Sequence, residues 1–160
     1  MIRICFVCLG NICRSPTAEG VMRHLVDSEG LGEAIQISSA GTGAWHVGEH
    51  PDPRSRATAE RHGVKLTSRA RHFGAESFDE ADYVVAMDSS NLKNLNAIAR
   101  NEEDRAKISL FRDFDLHSPK GSNVPDPYAG GQQGFENVYN MVESASQGLL
   151  THLRTHHELE

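Results

Sequence analysis

Residues 2–16 read Ile2-Arg3-Ile4-Cys5-Phe6-Val7-Cys8-Leu9-Gly10-Asn11-Ile12-Cys13-Arg14-Ser15-Pro16, and the fold turns on how they are read. The apolar run at 2–7 is short, rich in Ile, Phe and Val, and followed by a glycine, which predicts a buried central strand. From Ser15 onward the apolar residues Ala18, Val21, Met22, Leu25 and Val26 recur at helical spacing. Pro16 suits a first helical turn and Gly30 a stop. Strand, tight loop and helix therefore follow one another within thirty residues.

Working outward, the same alternation continues. A second strand is expected at 36–40, then a Gly- and Pro-rich loop over 41–53 and a helix over 54–62 ending at Gly63. Tyr-Val-Val-Ala-Met within 81–87 predicts a third strand. Asp88 or Ser89 then caps a helix carrying Leu92, Leu95 and Ile98. A fourth short strand fits 107–111. Residues 112–134 hold Pro119, Gly121, Pro125, Pro127, Gly130 and Gly131, a long irregular connection of the kind that usually carries function in a compact domain. The last helix shows Phe135, Val138, Tyr139, Val142, Ala145, Leu149 and Leu153 along one face. The expected fold is α/β: one domain over residues 1–160, with a four-stranded parallel sheet and helices on both faces. Ligands in such sheets bind beyond the carboxyl ends of the strands, so the loop after strand one is the first place to look.

Composition narrows the function classes. At 160 residues the chain suits one core. Lys+Arg 16 against Asp+Glu 22 gives a net charge of −6, which argues against a general nucleic-acid surface. No window approaches the roughly 18 apolar residues of a membrane span, and the first residues lack the pattern of a secretory signal. The expectation is a cytoplasmic monomer that binds neither nucleic acid nor membrane. All three cysteines lie within residues 5–13, so no disulfide framework closes a long loop.

The loop itself supplies the chemistry. A loop entering a helix gathers unpaired backbone N–H groups in one concavity, and the helix dipole adds positive potential there, so the site favours an anion. Gly10 and Asn11 are expected to take the unusual backbone angles of such a nest. Arg14 adds a planar fork for two phosphate oxygens. Cys8 at the mouth sees the same field, which stabilises thiolate over thiol, and a thiolate beside a phosphate points to in-line attack and a phosphocysteine. Ser15 is placed to donate to that thiolate.

Cys8 to Pro16, together with Ser39-Ala40-Gly41-Thr42, Ala86-Met87-Asp88, Ser90-Asn91-Leu92 and Asp126-Pro127-Tyr128, resembles the low-molecular-weight protein tyrosine phosphatases over almost the whole chain. The resemblance implies hydrolysis of phosphotyrosine without metal or cofactor, with Cys8 as nucleophile, Arg14 as phosphate clamp and Asp126 as general acid. Leu9, Gly10, Asn11, Ile12, Cys13 and Ser15 would form the phosphate site, with Tyr128 at its entrance and Ser39 supporting the loop. Trp45, the single tryptophan, sits in a Gly-rich loop and reads either as an aromatic wall for the substrate ring or as partly buried core. The partners implied are tyrosine-phosphorylated proteins or peptides, with phosphate and other oxyanions as inhibitors. Relatives often carry a histidine where this chain has Ser68, and a second aromatic where it has Ala129.

Other readings stand beside this one. Cys13 is expected to trap an oxidised Cys8 as a disulfide, and Cys5 to pack on the opposite face of the strand from Cys8. His62 and Glu19 are candidates for a structural ion pair. His46 and His50 do not form a metal pair, because Gly48 and Pro51 break the helix that such spacing needs. Arsenate reductases that pass oxidation to later cysteines do not fit, since none follows Cys13. Protein-arginine phosphatases typically have Thr where this chain has Ile12, and Ile favours a flat phenyl ring. A non-catalytic phosphopeptide-binding module needs only the nest and Arg14; Cys8 and Asp126 separate it from an enzyme.

Overall fold

The computed structural model describes residues 1–127 and 131–159. Strand β1 (Ile2–Cys8) leads into helix α1 (Arg14–Ser28), then β2 (Ile35–Gly41) and α2 (Pro53–Arg61). After a 3-10 turn at Ala75–Glu80 come β3 (Tyr83–Ala86), α3 (Ser89–Ile98), α4 (Glu102–Ala106) and β4 (Ile108–Leu110). A second 3-10 turn at Phe111–Phe114 precedes the long helix α5 (Gly131–His157). The four strands form one sheet in the order β2-β1-β3-β4, and every pairing among them is parallel.

Alternation along β1 makes the core two-sided. Ile4, Phe6 and Cys8 face a cluster built with α1 and α5, including Met22, Val138, Val142 and Leu149. Cys5 and Val7 face the other cluster, with Phe73, Phe78, Leu95 and Leu110. A strand buried on both faces reads as a continuous apolar run, which is why 2–7 does not alternate in polarity. Cys5 and Cys8 accordingly lie on opposite sides of the sheet.

β1 is central, with β2 on one side and β3 on the other, so the chain leaves it in one direction and later returns on the far flank. The crevice at such a reversal lies at the carboxyl end of the strand. Here that end is Cys8, in register with Gly41 of β2. Gly41 has to be glycine: a Cβ there would stand 2.7 Å from the Leu9 carbonyl oxygen.

The elements invisible to periodicity are the short ones. α4 is five residues held by Asn101, whose side chain accepts from the Asp104 N–H, and by acidic residues in its first turn. A helix that short has no amphipathic stripe to read.

Candidate active site

The loop between β1 and α1 is shaped by one residue. Asn11 is in the left-handed region (φ 57°), whereas Gly10 is not, so the expectation that both take unusual angles holds only for Asn11. Gly10 matters for space instead. A Cβ there would come 3.0 Å from His46 Cδ2, whose ring lies against the loop. Asn11 is buried and fully engaged: its Oδ1 accepts the Arg71 backbone N–H (3.0 Å), and its Nδ2 donates to Ser15 Oγ (2.7 Å) and Ser39 Oγ (3.0 Å). Thr42 N–H to the Cys8 carbonyl (2.9 Å) and Gly43 N–H to the Leu9 carbonyl (2.8 Å) carry the β1–β2 ladder on into the loop.

Helix α1 begins with Cys13 at its N-cap, no side chain caps it, and its first turn contains no acidic residue. The positive end of the dipole is therefore neither capped nor neutralised locally, as anion binding requires. Beneath the loop, Cys8 Sγ lies 3.0 Å from Ser15 Oγ.

Arg14 is buried, and two contacts fix its plane. Its Nη1 donates to Asp88 Oδ2 (2.5 Å) and to the Val124 carbonyl (3.0 Å). Asp88 serves twice, since its Oδ1 also caps α3 through the Asn91 N–H (2.8 Å). Val124 in turn donates its N–H to the Met87 carbonyl (2.8 Å), pinning the long connection to the end of β3 two residues before Asp126.

These elements enclose a cavity of about 310 Å³ lined by Cys8, Leu9, Gly10, Ile12, Cys13, Arg14, Trp45, His46 and Asp126. Cys8 and Asp126 are 118 positions apart in the chain and share one wall-to-wall space. Asn11, Ser15 and Ser39 do not line it; they lie behind the loop and hold it. Trp45 is exposed at the rim (72%) rather than buried in the core, its ring seated on Gly43, where a Cβ would fall 1.8 Å from a ring carbon. Tyr128 lies outside the described residues.

The other two cysteines are held as thiols by their surroundings. Burial pushes Cys13 up to about 12 and Cys5 up to about 11, so both are protonated at neutral pH. His62 does not pair with Glu19. It bonds Glu136 (3.0 Å) and stacks on Tyr139 at 4.0 Å, because α2 packs against α5, while Glu19 bonds Ser39 Oγ (2.5 Å) and Arg23 (2.9 Å). Ser68 takes no part in holding Asn11; the Arg71 backbone does, and Arg71 Nε also donates to the Ser39 carbonyl (2.8 Å). Asp88, His46, Glu19 and Arg71 are site residues that local sequence did not single out for these roles. Glu19 had a local sign in its four-residue spacing from Arg23, with which it pairs, and Asp88 one in its place as a helix cap. Among the described residues no group of three or more His, Cys, Asp or Glu side chains is arranged to hold a metal ion.

A family model described as low molecular weight phosphotyrosine protein phosphatase matches residues 3–159. The chain belongs to that family. A low molecular weight protein-tyrosine-phosphatase of Streptomyces coelicolor is 49% identical over 153 residues, covering 95% of this chain and 93% of the relative. The crystal structure of a protein tyrosine phosphatase from Entamoeba histolytica superposes with a TM-score of 0.92 at 36% identity, covering 97% of this chain and 98% of that one. The drosophila arginine phosphatase DARP superposes with a TM-score of 0.88 at 32% identity, covering 96% of this chain and 98% of that one.

Proposed function

We propose that the protein is a cysteine-dependent phosphatase that hydrolyses phosphotyrosine in proteins or peptides. The observation that carries the reading is the convergence of Cys8, Arg14 and Asp126 on one cavity at the uncapped start of α1. The phosphate sits in the concavity of loop N–H groups, and Arg14, held on its Nη1 side by Asp88 and Val124, offers its remaining donors to two phosphate oxygens. Cys8 Sγ attacks phosphorus as the thiolate. The S–P bond forms as the aryl P–O bond breaks, and the departing oxygen takes its proton from the Asp126 carboxyl. Asp126, now a carboxylate, takes a proton from water as the water oxygen attacks phosphorus. The S–P bond breaks, inorganic phosphate forms, and the thiolate returns to the Ser15 hydroxyl.

Ile12, Leu9 and the Trp45 ring give the mouth apolar walls of a kind that suits a phenyl group. Phosphoarginine is the competing substrate, since an arginine phosphatase shares the fold; the apolar Ile12 favours the aryl ester. The family match over residues 3–159 supports residues 1–160 as one phosphatase domain. Three free thiols, one of them needed reduced, fit a reducing, cytoplasmic setting.

Cys13 lines the same cavity as Cys8, which supports redox sensitivity. A hydroperoxide converts the Cys8 thiolate to sulfenic acid; the Cys13 thiol then forms the S–S bond, and the sulfenic oxygen leaves as water. The high position of Cys13 keeps its thiolate scarce and this closure slow.

The test is turnover of aryl phosphates and of a phosphoarginine protein by the wild type, Cys8→Ser and Asp126→Ala. Cys8→Ser is expected to be inactive yet to bind phosphate analogues. Asp126→Ala should lose about 10²- to 10⁴-fold on poor leaving groups and much less on good ones. Turnover by Cys8→Ser would refute covalent catalysis, and equal or faster hydrolysis of phosphoarginine would overturn the substrate class.

A further inference from the structure

His152 and His156 lie four residues apart near the end of α5, and their rings stack with centroids 3.8 Å apart and planes 23° from parallel. The break that disqualifies His46 and His50 is missing here, because α5 runs on to His157. Side chains at this spacing share one face of a helix, the arrangement in which paired imidazoles hold a metal ion. Two nitrogens bound to one ion at about 2.0–2.1 Å stand about 3.0–3.4 Å from each other. Rings already face to face at 3.8 Å need only tilt toward a shared edge to reach that separation.

The nitrogens free to bind can be assigned. His156 Nδ1 lies 3.0 Å from the His152 carbonyl oxygen, which can only accept, so Nδ1 carries the proton and Nε2 keeps its lone pair. A ring N–H spent on a backbone carbonyl is how ligating imidazoles are usually oriented. Among the described residues neither ring nitrogen of His152 has a hydrogen-bond partner. Its ring is held by steep-angle packing on Phe114 at 5.0 Å and Tyr83 at 6.1 Å. Burial, with His156 and His157 beside it, lowers His152 below its ordinary 6.5, so the ring is neutral at pH 7. His157 is otherwise employed, with its Nε2 on the Tyr83 hydroxyl (2.8 Å).

We propose that His152 and His156 chelate one divalent transition-metal ion, of the zinc, nickel or copper type that imidazole suits. Both rings border a groove of about 700 Å³ between α5, β4 and the Phe111–Phe114 turn, which gives room for the solvent ligands that complete the ion's shell. Calcium and magnesium, which take oxygen ligands, do not match the donor set. Tyr83 opens β3 at the amino ends of the strands, whereas Cys8 closes β1 at the carboxyl ends, and the groove shares no lining residue with the cavity of Cys8. The ion therefore acts on the fold: it staples the last turns of α5, and the spacing it needs exists only while that helix is formed.

Calorimetric titration of the full chain with nickel chloride and with zinc chloride at pH 7.5 tests this. The chain carries Cys8→Ser, so that no thiol of the loop competes for the ion. Each metal is expected to bind at one ion per chain, and magnesium chloride to give no binding heat. His152→Gln and His156→Gln should each weaken nickel binding by about tenfold or more. His156 is exposed, so His156→Gln keeps the fold, and its melting temperature without metal should match that of the parent. Nickel at ten times its dissociation constant should raise the melting temperature of the parent by about 3–6 °C and leave that of His156→Gln nearly unmoved. The assignment is overturned if neither metal binds, or if either variant binds nickel within tenfold of the parent.

Discussion

Within nine residues the chain places three thiols in three electrical environments, and the difference is made by what each sulfur touches. Cys5 is sealed in the apolar face opposite α1, Cys13 is desolvated at the helix start, and Cys8 meets the Ser15 hydroxyl at the mouth of a positively polarised loop. The expected consequence is selectivity: one equivalent of iodoacetamide at pH 7 should alkylate Cys8 and leave Cys5 and Cys13, as read by peptide mass spectrometry, while Cys8→Ser should react slowly throughout. Arg14→Lys tests the clamp at the same scale. Lysine keeps the charge but loses the planar fork and its tether to Asp88, so binding of phosphate should weaken by about 1.5–3 kcal/mol in a competition assay. Cys8, Arg14 and Ser15 were legible because they belong to one short loop whose chemistry is local. Asp88 was legible only as a helix cap; its grip on Arg14 spans 74 positions, and nothing in a local pattern announces that.

At the scale of elements, glycines mark where pieces meet. Gly148 on α5 packs so closely on the 3-10 turn Phe111–Phe114 that a Cβ would fall 1.9 Å from the Phe114 carbonyl oxygen. Backbone cannot yield as a side chain can, so Gly148→Ala should destabilise by about 1–3 kcal/mol in urea denaturation, despite alanine's better helix propensity. Gly43→Ala behaves differently, because what its Cβ meets is the Trp45 ring. The ring is able to move, so the fold should survive while KM for aryl phosphates rises about twofold to tenfold through loss of the aromatic wall. The strands and long helices follow the periodicity of the sequence closely: the expected strand at 36–40 is Ile35–Gly41, and the helix at 54–62 is Pro53–Arg61. What the periodicity missed has no period to show, namely α4 and the two 3-10 turns. The His62–Glu19 pairing failed for a tertiary reason, since the packing of α2 on α5 hands His62 to Glu136 instead.

For the molecule as a whole, the carboxyl end of β1 is the meeting point of the start of α1, the 41–53 loop and the 112–127 connection, which together line the cavity, while Asp88 at the start of α3 holds Arg14. Stability at mild acidity depends on a different region. Burial lowers His152 below its ordinary 6.5, and His156 and His157 lower it further; it also stacks on His156 at 3.8 Å and meets the edges of Phe114 and Tyr83. The unfolded chain therefore binds this proton more readily than the folded one. The stability it contributes is complete above about pH 6.5 and is lost as pH falls through its lower folded value. The melting temperature should drop between pH 7 and pH 5, and His152→Gln should flatten that drop.

The covalent intermediate is the centre of the account. Wild-type protein mixed with an excess of a good-leaving-group aryl phosphate, quenched in acid within milliseconds and digested, should yield a phosphorylated peptide with the phosphoryl group on Cys8, at up to one equivalent and absent from Cys8→Ser. Release of phosphate at full rate with no phosphoryl group on Cys8 at any quench time would contradict it.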